Sequence, residues 1–96
     1  LGRGNIAYAD GDRGAAANAY LRAIQLAPAD AVARNNLAQL LADAGCPYEA
    51  RRQVERAAAL AAGSTLASAV ATTRTMIEAM DTPAGACPLG DRNWPD

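Results

Sequence analysis

The stretch that decides the fold runs from Gly4 to Asp30 and reads G-N-I-A-Y-A-D-G-D-R-G-A-A-A-N-A-Y-L-R-A-I-Q-L-A-P-A-D. It predicts two short helices separated by a turn, where Gly11 suits the left-handed conformation that ends a helix. The pattern returns after 34 residues, so that Gly11 aligns with Gly45. Helical hairpins that recur at a fixed period in this range are typical of stacked repeat arrays.

Within each hairpin, small residues stand where helix backbones approach and larger apolar residues form one stripe per helix. The small positions are Gly4, Ala16, Ala23, Ala38, Ala50 and Ala57. The apolar stripe positions are Tyr20, Ile24, Leu26, Leu37, Leu40, Leu41, Val54 and Leu60. Because one hairpin cannot cover its own stripe, a neighbouring hairpin must bury it.

The chain resembles the tetratricopeptide repeat family, whose pattern is W-x2-L-G-x2-Y followed by A-x3-F-x2-A-x4-P. The matching residues of the first repeat are Gly4, Ala16, Tyr20, Ala23 and Pro28, and those of the second are Leu37, Ala50 and Ala57. The second repeat carries Arg34, Ala38, Leu41, Val54 and Ala62 in place of Trp, Gly, Tyr, Phe and Pro. The resemblance covers residues 1–62 and implies an α-α superhelix of antiparallel hairpins.

We therefore expect an all-α domain of about five antiparallel helices over residues 1–80 and an irregular tail over 81–96. Repeat 1 spans about 1–30, repeat 2 about 31–62, and a capping helix about 64–80. The predicted helices cover residues 1–9, 12–27, 31–44, 47–61 and 65–80. Asp30 is the expected N-cap of the third helix and Pro47 the expected start of the fourth.

The last predicted helix carries an apolar stripe and an opposite polar face. The stripe residues are Leu66, Val70, Thr73, Ile77 and Met80, and the outward residues are Ser68, Thr72, Thr75 and Glu78. A helix of this kind caps the array by giving it a polar end. In the tail beyond it, Trp94 is a candidate for packing onto the bundle.

The chain has two cysteines, Cys46 in the turn before the fourth predicted helix and Cys87 in the tail. If the helices alternate in direction, the fifth ends on the side where Cys46 lies, and we expect a Cys46–Cys87 disulfide. Free thiols, a redox pair and a metal site are the alternatives. Zinc needs about four ligands, however, and the chain has neither His nor a C-x-x-C motif. A disulfide would favour the periplasm or cell envelope over the cytoplasm.

Composition argues against several function classes. The net charge is −1 and the nine arginines are scattered, which predicts no basic stripe for nucleic acid. No apolar run approaches the ~20 residues that span a bilayer. Without His there is no Ser-His or Cys-His pair, so we expect neither an enzyme nor a cofactor or metal. Since the chain opens inside a helical pattern without a start methionine, we interpret it as a fragment of a longer protein.

The family resemblance implies a concave groove that binds an extended peptide or a partner helix. The groove positions it gives are Asn5, Tyr8, Ala9, Val32, Asn35, Asn36, Gln39, Asp43, Ser64, Ser68, Ala71 and Arg74. Asn5 and Asn36 fall where peptide-binding members use asparagine amides, which donate and accept at once; a merely solvated Asn36 is the alternative. The basic residues of the carboxylate-clamp subgroup are not matched. Arg74 is the one cation expected in the groove.

Three functions follow as expectations. The first is a non-catalytic protein–protein interaction module that binds a peptide or partner domain. The second is an accessory domain of a larger bacterial envelope enzyme, because the G-C-P turn at 45–47 and the late Cys87-Pro88 resemble tails that follow a cysteine peptidase domain of the bacteriocin-processing type. The third is self-association, since a truncated first helix leaves its apolar stripe partly uncovered.

Overall fold

The computed structural model describes residues 12–80 together with Cys87 and Trp94. It contains four α-helices, which are α1 (Asp12–Leu26), α2 (Ala31–Asp43), α3 (Pro47–Ala61) and α4 (Ala67–Glu78). No strand occurs in this part of the chain. The predicted all-α class is therefore confirmed. Of the about five helices expected, the one over residues 1–9 lies outside the described residues, which leaves four.

The turns between α1, α2 and α3 have the chemistry expected from the sequence. The Asp30 carboxylate accepts a hydrogen bond from the Ala33 amide at 3.1 Å, which caps α2. Gly45 follows α2 with φ at +83°, and a Cβ there would meet nothing within 4 Å. Backbone conformation rather than space therefore favours glycine at this position. Pro47 opens α3, where its missing N–H leaves no hydrogen bond unmade.

Helix α4 is shorter at both ends than the predicted range of 65–80. The Ser64 hydroxyl accepts from the Leu66 amide at 3.1 Å and donates to the Ala61 carbonyl at 2.7 Å. These bonds hold residues 61–66 in a turn, so the helix starts only at Ala67. At its other end, the Met80 amide bonds the Ile77 carbonyl at 3.1 Å, a tightened turn that stops the helix.

The core has the composition that the repeat pattern predicts. Each helix packs against the next one in the chain, and α2 also contacts α4. The small and apolar positions that are fully buried are Ala38, Ala50, Ala57, Leu37, Leu40, Leu41 and Val54. Those partly buried against this core are Ala16, Tyr20, Ala23 and Leu60. Alanines at the helix crossings let the backbones approach, and the leucines fill the space between them.

Leu26 departs from the predicted stripe, because its side chain is 78% exposed. The core side of α1 is set by Ala17 and Ile24, which are 0% and 2% exposed. At about 100° per residue, Leu26 lies about 200° around the helix from Ile24, on the opposite face. The stripe on α1 therefore ends at Ile24, and the placement of Leu26 in it was wrong.

The two faces of α4 are those predicted. Val70, Thr73 and Ile77 are buried, and Leu66 and Met80 pack partly against the core. The exposed residues include Ser68, Thr72, Thr75 and Glu78. This helix thus combines a buried apolar face with an exposed face that is rich in polar side chains.

A side-chain hydrogen bond joins helices α2 and α4. The Gln39 side-chain amide donates to the Thr73 hydroxyl at 3.1 Å, and these residues are 34 apart. Asp30 and Ser64, which precede α2 and α4, have the same separation. The bond therefore joins two positions that lie one predicted repeat period apart in the sequence.

Arg34 is a buried polar residue that ties three segments together. It is 3% exposed. Its Nε donates to the Pro28 carbonyl at 3.0 Å, and its Nη1 donates to Gln53 Oε1 at 3.3 Å. The guanidinium links the loop before α2 to α3. A buried charged group needs such hydrogen bonds to be tolerated.

Candidate functional site

The predicted groove residues are divided between described and undescribed parts of the chain. Asn5 and Tyr8 lie outside the described residues. On α2, Asn35 and Asn36 are half-buried and Gln39 is exposed. With the exposed Val32 and Asp43 they recur at spacings of three and four and form one stripe, which we call the α2 stripe. The structure therefore places the residues of α2 that were predicted to line a groove on one side of that helix.

Gln39 is held in place by a short chain of hydrogen bonds. Its Nε2 donates to Thr73 Oγ1 at 3.1 Å, and that hydroxyl donates to the Ala69 carbonyl at 3.2 Å. Thr73 is only 2% exposed, so a buried hydroxyl fixes the position of the exposed Gln39 amide. Only one N–H of Gln39 is used in these bonds. Its carbonyl oxygen and second N–H can therefore bond to a ligand.

The α2 stripe contains two asparagines, and one of them has an unused hydrogen-bond acceptor. Asn35 Oδ1 is buried and has no hydrogen-bond partner. Such an acceptor costs on the order of 1–3 kcal/mol when it is left unsatisfied. Asn36 is half-buried. The stripe thus contains three amides within two helical turns.

Arg74 lies on a different side of α4 from Thr73. Its Nη2 is 3.0 Å from Glu55 Oε2 on α3, and its Nε is 3.5 Å from Glu78 Oε2 one turn along α4. All three side chains are about half exposed, so each pair contributes less than ~1 kcal/mol. Gln39 thus contacts Thr73 on α4, whereas Arg74 contacts Glu55 on α3. The ion pairs of Arg74 do not involve the α2 amides.

The two cysteines lie at bonding distance. Their sulfur atoms are 2.05 Å apart and their Cα atoms 4.9 Å apart, so the predicted Cys46–Cys87 pair is present. Cys46 is 1% exposed and belongs to the core. Trp94 is 8% exposed and joins the same core. The segment that follows α4 is therefore attached to the bundle at two residues.

Glu49 is a third potential ligand beside the cysteines. One oxygen of its carboxylate and the two sulfur atoms all lie within 4.8 Å of one another. Among the residues that the structure describes, no other group of three or more His, Cys, Asp or Glu side chains converges in this way. Glu49 lies in the first turn of α3, three positions after Cys46 in the sequence.

The outer face of α3 carries a feature that sequence reasoning missed. A shallow depression of about 600 Å³ lies against this helix and is lined by Tyr48, Arg51, Arg52, Glu55, Arg56 and Ala59. Tyr48 is 64% exposed. The arginines are scattered over the whole sequence, but these three share one helical face. Their spacing within the predicted helix over 47–61 was the signal available.

No family model, curated protein or solved structure matches the chain. In the described part of the chain, none of the helices has the length and apolar character needed to cross a membrane. The structure defines an all-α domain of packed helices with one cysteine pair at bonding distance.

Proposed function

We propose that this protein is a non-catalytic interaction module of the tetratricopeptide-repeat type, which binds an extended peptide along the α2 stripe. The observation that carries the proposal is the Gln39–Thr73 hydrogen bond, which joins residues 34 apart on α2 and α4. Successive first helices of such repeats line the inner side of the array. The contact therefore supports a continuous surface across α2 and α4.

The chemistry of the stripe favours a ligand's main chain over its charges. Three of its five residues are amides, one is Val32, and only Asp43 is charged. Amides donate and accept together, as the N–H and C=O groups of an extended peptide require. Val32, which is 46% exposed, offers apolar contact for a side chain of the ligand. We infer an uncharged, extended segment, either a separate peptide or part of a neighbouring domain.

The proposed location is the periplasm or cell envelope. Its support is the Cys46–Cys87 pair at disulfide distance, since disulfides persist mainly in oxidising compartments. An accessory role beside an enzyme domain is compatible with the same surface, because the partner would then lie in the same longer protein.

The groove is tested by selecting ligands from a displayed library of random linear peptides on the disulfide-bonded protein. We expect Gln39→Ala to weaken binding of the selected peptides by about fivefold, the effect of losing one hydrogen bond. Gln25→Ala is the matched control, because Gln25 is an exposed glutamine on α1. Affinities measured by fluorescence anisotropy compare the two variants.

Equal affinities of the Gln39→Ala and Gln25→Ala variants would contradict the proposal that the peptide binds along the α2 stripe. A second result against it would be peptides rich in Asp and Glu whose binding is lost on Arg51→Ala. That outcome would move the site to the depression on α3, where Arg51 and Arg56 are exposed.

A further inference from the structure

We propose that the cysteine pair, once reduced, forms with Glu49 a three-ligand site for Zn²⁺. The link between Cys46 and Cys87 would then exist in two forms, a disulfide bond and a metal bridge. This inference does not depend on the peptide groove. A count of Cys and His alone finds too few ligands, and the structure adds the carboxylate of Glu49.

The geometry is close to that of a zinc site. The two sulfur atoms and one Glu49 oxygen all lie within 4.8 Å of one another. Zinc with Zn–S bonds of about 2.3 Å and a Zn–O bond of about 2.1 Å places tetrahedral donors roughly 3.5–3.8 Å apart. Breaking the S–S bond frees the two cysteine side chains to rotate about their Cα–Cβ bonds, and this rotation would move the sulfur atoms apart toward these separations. A fourth position remains for water.

The donors also have the right chemistry and surroundings. Two thiolates and a carboxylate carry three negative charges, which favour a divalent cation of intermediate softness. Cys46 is the N-cap of α3 and its sulfur makes no capping hydrogen bond. A thiolate there lies at the positive end of the helix, which stabilises the ligand form. Cys46 is buried and both Glu49 and Cys87 are half-buried, so the site is shielded from bulk water on one side.

Conversion of the disulfide to the zinc-bound form needs a reductant and releases protons. A dithiol gives two electrons and two protons to the disulfide, which becomes two thiols while the dithiol becomes a disulfide. Zn²⁺ then displaces the two thiol protons and binds both thiolates. A phosphine can replace the dithiol, in which case the phosphine becomes its oxide with oxygen from water.

Trp94 explains why Cys87 would remain near Cys46 after reduction. Its side chain is 8% exposed in the core cluster, and it follows Cys87 along the chain. This second attachment restricts how far Cys87 can move once the S–S bond is broken. Zinc would then bind to ligands that are already held close together, which lowers the entropy lost on binding.

The test is a titration of the reduced 96-residue chain with Co²⁺, followed by displacement with Zn²⁺. In the presence of phosphine we expect a near-ultraviolet thiolate-to-cobalt band that saturates at one Co²⁺ per chain and disappears when Zn²⁺ is added. The disulfide-bonded protein should give no such band. Trp94, the single tryptophan, should show the same emission maximum in the zinc-loaded and disulfide forms.

Variants decide whether the three named ligands form the site. Glu49→Gln should weaken Co²⁺ binding by at least about tenfold, whereas Glu78→Gln, at an exposed glutamate on α4, should not change it. Circular dichroism of each variant checks that the helices remain. The proposal is overturned if the reduced protein gives no thiolate band, if the disulfide form binds Co²⁺ equally well, or if both glutamine variants bind alike.

Discussion

Replacing both Cys46 and Cys87 by alanine will lower the free energy of unfolding by about 4 kcal/mol. The pair closes a loop between residues 41 apart in sequence, and the open chain regains that loop's entropy when it unfolds. For a domain of this size, the loss corresponds to a fall in Tm of roughly 20 °C. Thermal unfolding followed by circular dichroism measures it, with a chelator present so that no metal replaces the bond.

Ser68→Ala is the control for this experiment, because Ser68 is exposed on α4. It should change Tm by no more than a few degrees, as surface substitutions do. Reduction of the wild-type protein in chelator should lower Tm about as much as the double variant does. A double variant whose Tm lies within a few degrees of the wild-type value would show that the disulfide contributes little to stability.

The second large effect is expected from Leu37→Ala, which should cost about 3 kcal/mol. Leu37 is 0% exposed and lies in the core on α2. Shortening it removes apolar contacts and leaves a cavity that the surrounding structure fills only in part. Urea unfolding of wild type and variant gives the difference in free energy directly.

Leu26→Ala is the matched control, since it makes the same chemical change at a leucine that is 78% exposed. It should change the free energy of unfolding by less than about 0.5 kcal/mol. Similar losses for the two variants would contradict the burial of α1 and α2 described above. Such a result would indicate that Leu26 is buried, as its place in the predicted apolar stripe implied.

The sequence predicted most of the local structure, because the relevant interactions are short-range. The Asp30 cap and the Gly45 turn involve residues a few positions apart, and Pro47 acts through its own ring. Their positions fix the ends of α2 and the start of α3. Predicting the Cys46–Cys87 pair needed one further assumption, that consecutive helices alternate in direction.

Features that depend on packing were not predictable in the same way. Leu26 has the right residue type for the core, yet the helix phase set by Ile24 turns it outward. Arg34 has the wrong type for the core, yet bonds to Pro28 and Gln53 make its burial tolerable. Both outcomes depend on which neighbour occupies the space, and a list of apolar positions does not contain that information.

In the candidate site, too, single residues were predictable from the sequence, whereas their contacts across helices were not. Gln39 was predicted as a groove residue from the family resemblance, but its partner Thr73 was assigned only to the core stripe of the last helix. Arg74 was predicted in the groove, and its ion pair with Glu55 depends on how α3 packs against α4. Side chains on two helices can be paired only when the helix crossing is known.

The proposed peptide site lies where α2 and α4 meet. The most direct test is to map backbone amide shifts by NMR while a selected peptide is titrated into the disulfide-bonded protein. We expect the largest changes at Asn36, Gln39 and Thr73. Changes confined to the α3 face around Tyr48 and Arg51, with the α2 and α4 amides unmoved, would contradict it.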